Sequence, residues 1–141
     1  MAIAIERDVY PKTSKLVALY DSVGWKKYTE DEGALTRAIV NSLAVVTAWA
    51  DEEHLVGLAR AVGDGETVVY IQDVLVHPDY QKNGIGRALV EQLSAMYPTV
   101  RQKLLLADDT PELNRFYEGL GFTCVHVKGM KAWKLYNFVE S

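Results

Sequence analysis

The segment from Ile71 to Val90 limits the possible folds of this chain more than any other stretch. It opens with the aliphatic run 74–76, which favours a β-strand, and continues through a short loop to Gly84 and Gly86. From Ile85 to Met96 the apolar residues recur with the spacing of one helix face. A glycine turn that leads into a helix exposes unpaired N–H groups at the positive end of the helix dipole. The segment therefore predicts an anion site, most naturally for a phosphate group.

Two common glycine-rich phosphate motifs do not match this segment. The dinucleotide-binding motif needs three glycines and an acidic residue about 20 residues later, and the P-loop needs Gly-Lys followed by Ser or Thr. Here Gly86 is followed by Arg87 and Ala88. The pattern that fits is Gln/Arg-x-x-Gly-x-Gly/Ala, which spans Gln81 to Gly86 directly after the strand. The alternative interpretation is a tight turn from strand to helix in which both glycines serve only packing.

Length and charge exclude several classes of protein. With 141 residues, of which 49% are hydrophobic, the chain is predicted to form one domain over residues 1–141. A net charge of -4 leaves no basic surface for nucleic acid, and the short clusters of Lys and Arg do not support membrane-surface binding. No apolar run approaches ~18 residues, the length that crosses a bilayer. Because the first residues also lack the apolar core of a signal peptide, we expect a soluble, cytoplasmic protein.

The first half of the chain shows a strand pattern, two helix patterns and then a run of strands. Ala2 to Arg7 alternates apolar and polar residues, which predicts an opening strand. The first helix is predicted to begin at Thr13 or Ser14, and the second runs from a cap at Thr29 to Asn41. Three strands joined by short turns then predict an antiparallel meander: Leu43–Ala50, His54–Val62 and Thr67–Val76.

The second half adds a helix, a strand, a helix and two strands. The strand Lys103–Ala107 should run parallel to the one that ends at Val76, because a helix connects them. The next helix is predicted to begin near Thr110 and to end at Gly121. Two last strands are predicted: Phe122–Val127 and Ala132–Phe138. Cys124, the single cysteine, excludes an internal disulfide and is expected to be a small buried hydrophobe.

A second motif lies in the helix that ends at Gly121. Its sequence over residues 114–122 is Asn-Arg-Phe-Tyr-Glu-Gly-Leu-Gly-Phe. It is similar to the Asn-x-x-x-Phe-Tyr-x-x-x-Gly-Phe type segment of the GNAT superfamily of N-acetyltransferases, with Asn114 one position closer to the aromatic pair. The glycine segment resembles the acetyl-CoA pyrophosphate loop of the same family. Together they imply an α/β (α+β) GNAT fold, whose mixed, mostly antiparallel sheet is splayed at the acetyl-CoA site and flanked by about four helices.

The resemblance implies direct transfer of acetyl from acetyl-CoA to a primary amine, with no metal. By resemblance, backbone N–H groups of the loop hold the diphosphate, and the side chains of Lys82 and Arg87 either add charge or lie on a solvated surface. Main-chain groups of Leu75 and Val76 hold the pantetheine arm, and a backbone N–H near Leu75 polarises the thioester carbonyl. The implied cofactor-binding residues are Leu75, Val76, Gln81, Lys82, Asn83, Gly84, Ile85, Gly86, Arg87, Asn114 and Tyr117.

Two residues are candidates for proton transfer. Asp73 lies in the apolar strand before the glycine segment, where partial burial should raise its pKa toward the range of a general base. The alternative is that Asp73 binds the substrate ammonium without taking a proton. Tyr117 matches the family tyrosine that sits near the sulfur and could protonate the leaving thiolate; the alternative is a core aromatic. His77, before Pro78 at the strand end, is expected to have a loop role.

The acceptor amine is the least defined part of the prediction. Trp25 and Tyr28, in the connector after the first helix, are candidates for the wall of a substrate pocket, or they pack over the edge of the core. Acid-rich loops favour a cationic acceptor, either a small amine or a lysine side chain. Other functions left open are a non-catalytic module that binds acetyl-CoA or a partner protein, and an unrelated nucleotide binder. The edge of the last strand is a candidate homodimer interface.

Overall fold

A computed structural model describes residues 2–136 and contains one five-stranded sheet with the strand order β1-β2-β3-β4-β5. The strands are β1 (Ala4–Arg7), β2 (Ala44–Asp51), β3 (His54–Gly63), β4 (Val68–Val76) and β5 (Gln102–Leu105). The helices are α1 (Thr13–Ser22), α2 (Lys26–Thr29), α3 (Glu32–Val40), α4 (Ile85–Ala95) and α5 (Pro111–Gly119). By contact density the chain divides after Leu106 into two compact units. In the described residues, no helix is both long and apolar enough to span a membrane.

The sheet has the pairing expected from the sequence. β1, β2, β3 and β4 pair antiparallel in chain order, which confirms the predicted meander. β5 pairs parallel to β4, as expected for two strands that α4 connects. The prediction of a mixed, mostly antiparallel sheet flanked by helices is therefore confirmed.

Helices cover both faces of this sheet. On one face, side chains of α1 and α3 pack against Leu58 of β3 and Leu75 of β4. Gly57, which precedes Leu58, points to the opposite face, because successive strand residues alternate between faces. There α4 packs so closely that a Cβ on Gly57 would lie 3.1 Å from Leu89 Cδ1. The buried side chains of α4 are Ile85, Leu89, Val90 and Leu93.

β4 contains one extra residue relative to β3. Asp73 pairs with Arg60 and Ile71 pairs with Ala61, so Gln72 has no opposite residue and forms a β-bulge. The extra residue shifts the alternation of side chains along β4. As a result, Asp73 lies on the face that α1 covers, as Leu75 does.

The segment between α1 and α3 differs from its prediction. Thr29 was expected to cap one long helix, but it is the last residue of the short helix α2. Its hydroxyl donates to Asp21 Oδ1 at 2.6 Å instead. The cap of α3 is Asp31, whose carboxylate accepts from the backbone N–H of Ala34. Tyr28, expected in a connector, consequently lies on α2.

The residues after Leu106 contain α5 and a 3₁₀ turn. α5 begins where the sequence predicted, next to Thr110, whose hydroxyl accepts from the backbone N–H of Leu113 and caps the helix. The predicted strand Phe122–Val127 is wrong, because Val125–Lys128 forms the 3₁₀ turn, which closes at Gly129 with φ 76°. Residues 132–136 contain no strand either, and the rest of the predicted strand Ala132–Phe138 lies outside the described residues. A strand needs a neighbour, and in the turn local bonds such as that from Val127 N to Cys124 O satisfy the backbone instead.

Candidate active site

The glycine loop has the geometry of an anion site at the start of α4. Gly84 is the N-cap residue of α4 and has φ 79°, a left-handed conformation that favours glycine. Lys82, two residues earlier, also has a positive φ, 65°. The first N–H groups of an eleven-residue helix have no partner inside the helix, so those of α4 point into the loop. Such an arrangement offers an anion the backbone donors of a helix start and the positive end of the helix dipole.

Two polar side chains of the loop hold its shape. Gln81 Nε2 donates to the carbonyl oxygen of Val76 at 2.9 Å, which ties the loop to the end of β4. Asn83 Nδ2 donates to the carbonyl oxygens of Tyr80 and Gln81 at 3.1 and 3.2 Å. The side chains of these two predicted cofactor-binding residues are therefore engaged within the loop, so any phosphate contact they make is expected from their backbone.

The two cations of the loop differ in their surroundings. Arg87 Nε lies 3.2 Å from Glu91 Oε1 in an exposed ion pair one turn along α4. Lys82 is exposed on the loop itself. Exposed pairs of this kind are weak, so Arg87 can exchange Glu91 for a phosphate at low cost. Both residues thus remain predicted phosphate contacts.

His77 has the loop role that was expected for it. Its Nδ1 accepts a hydrogen bond from the backbone N–H of Asp79 at 3.1 Å and so caps the turn Pro78–Tyr80. Its ring also packs edge-on against Tyr80. The imidazole therefore stabilises the approach to the glycine loop.

β4 has an open edge immediately before this loop. β5 pairs with β4 only as far as Ile71, and none of the five strands pairs with β4 on that side from Gln72 to Val76. The backbone N–H of His77 donates to Val56 on β3, and hydrogen-bonded pairs alternate along an antiparallel ladder. Leu75 therefore also directs its backbone groups to β3, whereas Val74 and Val76 direct theirs to the open edge.

This alternation corrects one sequence-based assignment. Main-chain groups of Leu75 were expected on the pantetheine arm, with a backbone N–H near Leu75 at the thioester, but the N–H of Leu75 itself belongs to the ladder with β3 and its side chain is buried. The bulge at Gln72 determines which residues face outward, because it shifts the alternation by one. The backbone groups near Leu75 that face the open edge are those of Val74 and Val76, and contacts of this edge with a pantetheine arm stay predictions.

Asp73 lies in a buried polar cluster on the α1 face of the sheet. Arg60 Nε donates to its Oδ2 at 2.6 Å, and the Tyr20 hydroxyl donates to the same oxygen at 2.9 Å. The Tyr28 hydroxyl donates to Oδ1 at 2.5 Å and accepts from Gln72 Nε2 at 3.1 Å. Tyr20, Tyr28, Arg60, Gln72 and Asp73 are called the aspartate cluster below.

Charge and burial set the protonation of the aspartate cluster. Burial raises the pKa of Tyr20, and the negative charge of Asp73 raises it further. The pKa of Tyr28 is raised for the same two reasons in the same order. Burial opposes the charge on Arg60, but Asp73 more than offsets it, and the pKa of Arg60 is raised. At neutral pH the two phenols are therefore neutral donors, and Arg60 is a cation.

These contacts differ from those expected for a general base. Asp73 is only 4% exposed, which agrees with the predicted burial. Its carboxylate, however, pairs with a guanidinium and accepts two further hydrogen bonds, so both of its oxygens are already engaged within the cluster. Besides the roles of base and substrate anchor, these contacts therefore suit Asp73 to a third role, in which it orients the neighbouring side chains.

Aromatic rings border the aspartate cluster. Trp25, Tyr28 and Tyr20 contact one another, with ring centroids 5.0 to 6.0 Å apart. Tyr20 is fully buried, Tyr28 is half-buried and Trp25 is 36% exposed, so the group runs from the core to the surface. Trp25 and Tyr28 therefore cover the core edge and keep part of their rings at the surface, and their role as the wall of a substrate pocket stays a prediction.

The rings of the aromatic motif of α5 contact one another within the unit that follows Leu106. The ring of Tyr117 packs edge-on against Phe116 and Phe122, and burial raises the pKa of its phenol. Asn114 Nδ2 donates to Asp109 Oδ1 at 3.2 Å across the start of the helix. The roles of Tyr117 as an acid and of Asn114 as a CoA ligand stay predictions. Cys124, expected to be buried, is exposed, because it ends the segment before the 3₁₀ turn and packs in no strand.

Sequence reasoning missed three members of the site. Arg60 is the one charged residue in the apolar stretch 55–62 and lies directly opposite Asp73 on the neighbouring strand. An isolated charge in a buried strand is a usable signal, because it needs an opposite partner. Tyr20 resembles an ordinary core residue of α1, and only the position of its hydroxyl shows its role. Val74 was missed because the bulge is not visible in the pattern of apolar residues.

Comparisons with known proteins agree with this geometry. A family model described as "Acetyltransferase (GNAT) domain" matches residues 18–136. The uncharacterized N-acetyltransferase ycf52 of Pyropia yezoensis is 30% identical over 125 residues, which cover 82% of this chain and 71% of that protein. The histone acetyltransferase TAP1 of Glycine max is 34% identical over 137 residues, 87% of this chain and 56% of that one. The GNAT family protein SP0256 of Streptococcus pneumoniae superposes with a TM-score of 0.85 at 30% identity, covering 96% of this chain and 98% of that chain.

Proposed function

Because the chain belongs to the GNAT family of acetyltransferases, we propose that it transfers the acetyl group of acetyl-CoA directly to a primary amine. The amine belongs to a small molecule or to a lysine side chain. The observation that carries the proposal is the open edge of β4 immediately before a glycine-capped helix, because a thioester on a long diphosphate-bearing arm needs both features. The curated relatives differ in length, and the chain spans 71% and 56% of the two described above.

The diphosphate is assigned to the start of α4. Gly84, in a left-handed conformation, turns the chain into α4, and the backbone N–H groups from Lys82 to Arg87 are the proposed phosphate donors. The helix dipole adds partial positive charge there, and Lys82 and Arg87 supply full charges at the rim. A Cβ on Gly84 would meet no neighbour, so packing does not require glycine at this position. The phosphate assignment explains instead why the helix begins with a residue in the left-handed conformation.

The pantetheine arm is assigned to the open edge of β4. Its two amides can pair with the backbone of Val74 and Val76 in the manner of an added strand. The N–H of Val74 then lies closest to the bulge and is the candidate donor to the thioester carbonyl. A fixed backbone donor at this place stabilises the oxyanion that forms when the amine attacks.

The leaving thiolate must gain a proton, and Tyr117 is the proposed donor. Burial raises the pKa of this phenol, so it keeps its proton at neutral pH and can donate to a developing thiolate. The family resemblance of the segment 114–122 supports this role. Asn114 and the side chain of Tyr117 complete the proposed cofactor contacts.

The acceptor is assigned to the surface formed by Trp25 and Tyr28. These rings reach the surface beside the bulge, and exposed acids at Glu30, Asp31 and Glu32 follow on the same segment. A negative rim attracts a protonated amine. One relative is named a histone acetyltransferase, which supports a lysine acceptor, whereas the aromatic surface supports a small amine as well.

A thiol-release assay with an amine panel tests the proposal. The panel contains an arylalkylamine, a polyamine and a lysine-containing peptide, each with acetyl-CoA, and calorimetry measures the binding of acetyl-CoA and of ATP separately. We expect acetyl-CoA to bind and at least one amine to accelerate thiol release. Binding without amine-dependent release would identify a non-catalytic module, and binding of ATP but not of acetyl-CoA would identify a nucleotide binder.

Location and assembly are part of the same proposal. We expect a cytoplasmic enzyme, although one relative is named a chloroplastic protein. A homodimer was predicted through the edge of the last strand, but residues 132–136 form no strand and residues 137–138 lie outside the described residues. The proposed interface is therefore an edge strand of the described sheet, β1 or β5. Light scattering during gel filtration measures the mass in solution, and a monomer at micromolar concentration would contradict the dimer.

A further inference from the structure

The aspartate cluster extends from the core to the half-buried Tyr28, whose hydroxyl is its outermost phenol. Asp73 and Arg60 form a neutral pair whose side chains are 3% and 8% exposed. Within the described residues, no buried side-chain nitrogen or oxygen is without a hydrogen-bond partner. The cluster is therefore fully satisfied on its inner side, and any ligand must meet it from the outer side, where Tyr28 and Gln72 lie.

Direct proton transfer to Asp73 is unfavourable in this setting. Both carboxylate oxygens are occupied, Oδ2 by Arg60 and Tyr20 and Oδ1 by Tyr28. An acceptor amine would have to displace one of these donors to reach the carboxylate. A proton placed on Asp73 would also leave the guanidinium of Arg60 buried without a counter-charge, which is strongly unfavourable.

The Tyr28 hydroxyl, in contrast, has capacity left for a ligand. A phenolic oxygen can donate one hydrogen bond and accept through its lone pairs. Tyr28 donates to Asp73 and accepts from Gln72, so its capacity to accept is not exhausted. A donor bonded to an ionised carboxylate is polarised, and its oxygen becomes a stronger acceptor. This oxygen suits the N–H group of an ammonium or amine.

The neighbours of Tyr28 add selectivity for a cation. The ring of Trp25 lies 6.0 Å from that of Tyr28 and is 36% exposed, so it can offer its face to a positive group. The hydroxyl and the indole thus approach the same outer surface. Val74, the proposed donor to the thioester, follows directly after Asp73 in the sequence.

We infer that Tyr28 binds the nitrogen of the acceptor amine and that Asp73 is a positioning residue that acts through Tyr28. Asp73 accepts the hydrogen bond of the Tyr28 hydroxyl and so orients the phenol, and Arg60 holds the carboxylate in place. The inference rests on the proposed acetyl transfer to an amine and names the contact that recognises the acceptor. No covalent step involves either residue.

Steady-state kinetics of Tyr28→Phe test the inference, with Tyr97→Phe as the matched control. Tyr97 also has a partly buried hydroxyl, which bonds to the Leu43 carbonyl oxygen away from the cluster. We expect Tyr28→Phe to raise the KM for the amine about 10- to 100-fold, because a hydrogen bond to a charged group is lost. The KM for acetyl-CoA should not change, and Tyr97→Phe should leave both values unchanged.

Asp73→Asn separates positioning from proton transfer. If Asp73 acts through Tyr28, Asp73→Asn raises the KM for the amine, and the double variant with Tyr28→Phe raises it no further. The acidic limb of the pH profile of kcat should persist in Asp73→Asn. Loss of that limb would overturn the inference, because it would show Asp73 to be the base.

The outcomes of the two proposals can be told apart. Amine-dependent thiol release by the unmodified protein is measured first, and its absence would overturn both the proposed function and this inference. If release occurs but Tyr28→Phe has the same amine KM as Tyr97→Phe, only the inference fails. Binding of acetyl-CoA by calorimetry confirms that each variant is folded, and Tyr28→Phe decides alone if Asp73→Asn does not fold.

Discussion

The replacement Arg60→Met gives the sharpest test of the aspartate cluster as a buried ion pair. Arg60 Nε lies 2.6 Å from Asp73 Oδ2, and the two side chains are 8% and 3% exposed. Methionine keeps much of the arginine stem but removes the charge, so Asp73 becomes a buried carboxylate without a counter-ion. Breaking a buried pair in this way typically costs about 3–5 kcal/mol. The hydroxyls of Tyr20 and Tyr28 still donate to the carboxylate, so we expect a loss near the lower value, about 3 kcal/mol.

Urea unfolding followed by circular dichroism at pH 7 measures this loss. Arg87→Met is the matched control, because Arg87 pairs with Glu91 while both side chains are more than half exposed. Exposed pairs contribute little, so this control should change the free energy of unfolding by less than about 0.5 kcal/mol. The double variant Arg60→Met with Asp73→Asn removes both charges and should be less destabilised than Arg60→Met alone.

The result that would refute the reasoning is an Arg60→Met variant no less stable than Arg87→Met. The pair would then be solvated, and Asp73 would be open to solvent and to substrate. A double variant that loses more free energy than Arg60→Met would show that packing of the guanidinium, rather than its charge, stabilises the cluster.

Three further predictions concern other parts of the protein. Gly84→Ala should weaken acetyl-CoA binding about 5- to 30-fold by calorimetry, because alanine at φ 79° costs about 1–2 kcal/mol and shifts the loop. Tyr117→Phe should lower kcat about 100-fold or more in the thiol-release assay, with the KM for the amine unchanged, because the thiolate loses its proton donor. Above about pH 10 the Tyr20 hydroxyl ionises in the unfolded chain but not in the folded protein, because burial and the charge of Asp73 raise its pKa in the fold. The free energy of unfolding therefore falls as pH rises, and Tyr20→Phe should reduce the slope of this fall by about 1.4 kcal/mol per pH unit.

Each of these predictions has a control and a contrary outcome. Gly119→Ala, within α5 and with nothing near its added Cβ, should not weaken acetyl-CoA binding, and equal effects of the two alanines would contradict the loop assignment. Phe116→Leu should change kcat less than Tyr117→Phe, and unchanged kcat in Tyr117→Phe would remove that residue as the acid. Parallel alkaline stability curves for the wild type and Tyr20→Phe would show that the Tyr20 hydroxyl is not buried.

The sequence by itself determined the parts of the fold that depend on local patterns. The runs of β-branched and apolar residues in β2 to β4 and the short turns between them specified the meander, because such runs favour strands and short turns join antiparallel neighbours. Gly84 marked the start of α4, since few other residues adopt its backbone angles. The segments 81–86 and 114–122 together indicated the family, which the comparisons confirm.

Only the tertiary structure decided which groups face the site. The extra residue at Gln72 determines on which face of the sheet the Asp73 side chain lies and toward which edge the backbone groups of Val74 point. Such a one-residue shift cannot be recognised from the pattern of apolar residues in the sequence. The strand predicted at Phe122–Val127 failed for a related reason, because β-branched residues favour a strand only where a neighbour accepts its hydrogen bonds. Arg60 and Asp73 are 13 residues apart in sequence, and their 2.6 Å contact exists because β3 and β4 pair in one register. That contact, which no local rule predicts, adds Arg60 and Tyr28 as partners of an aspartate for which the sequence had left open the roles of base and substrate anchor.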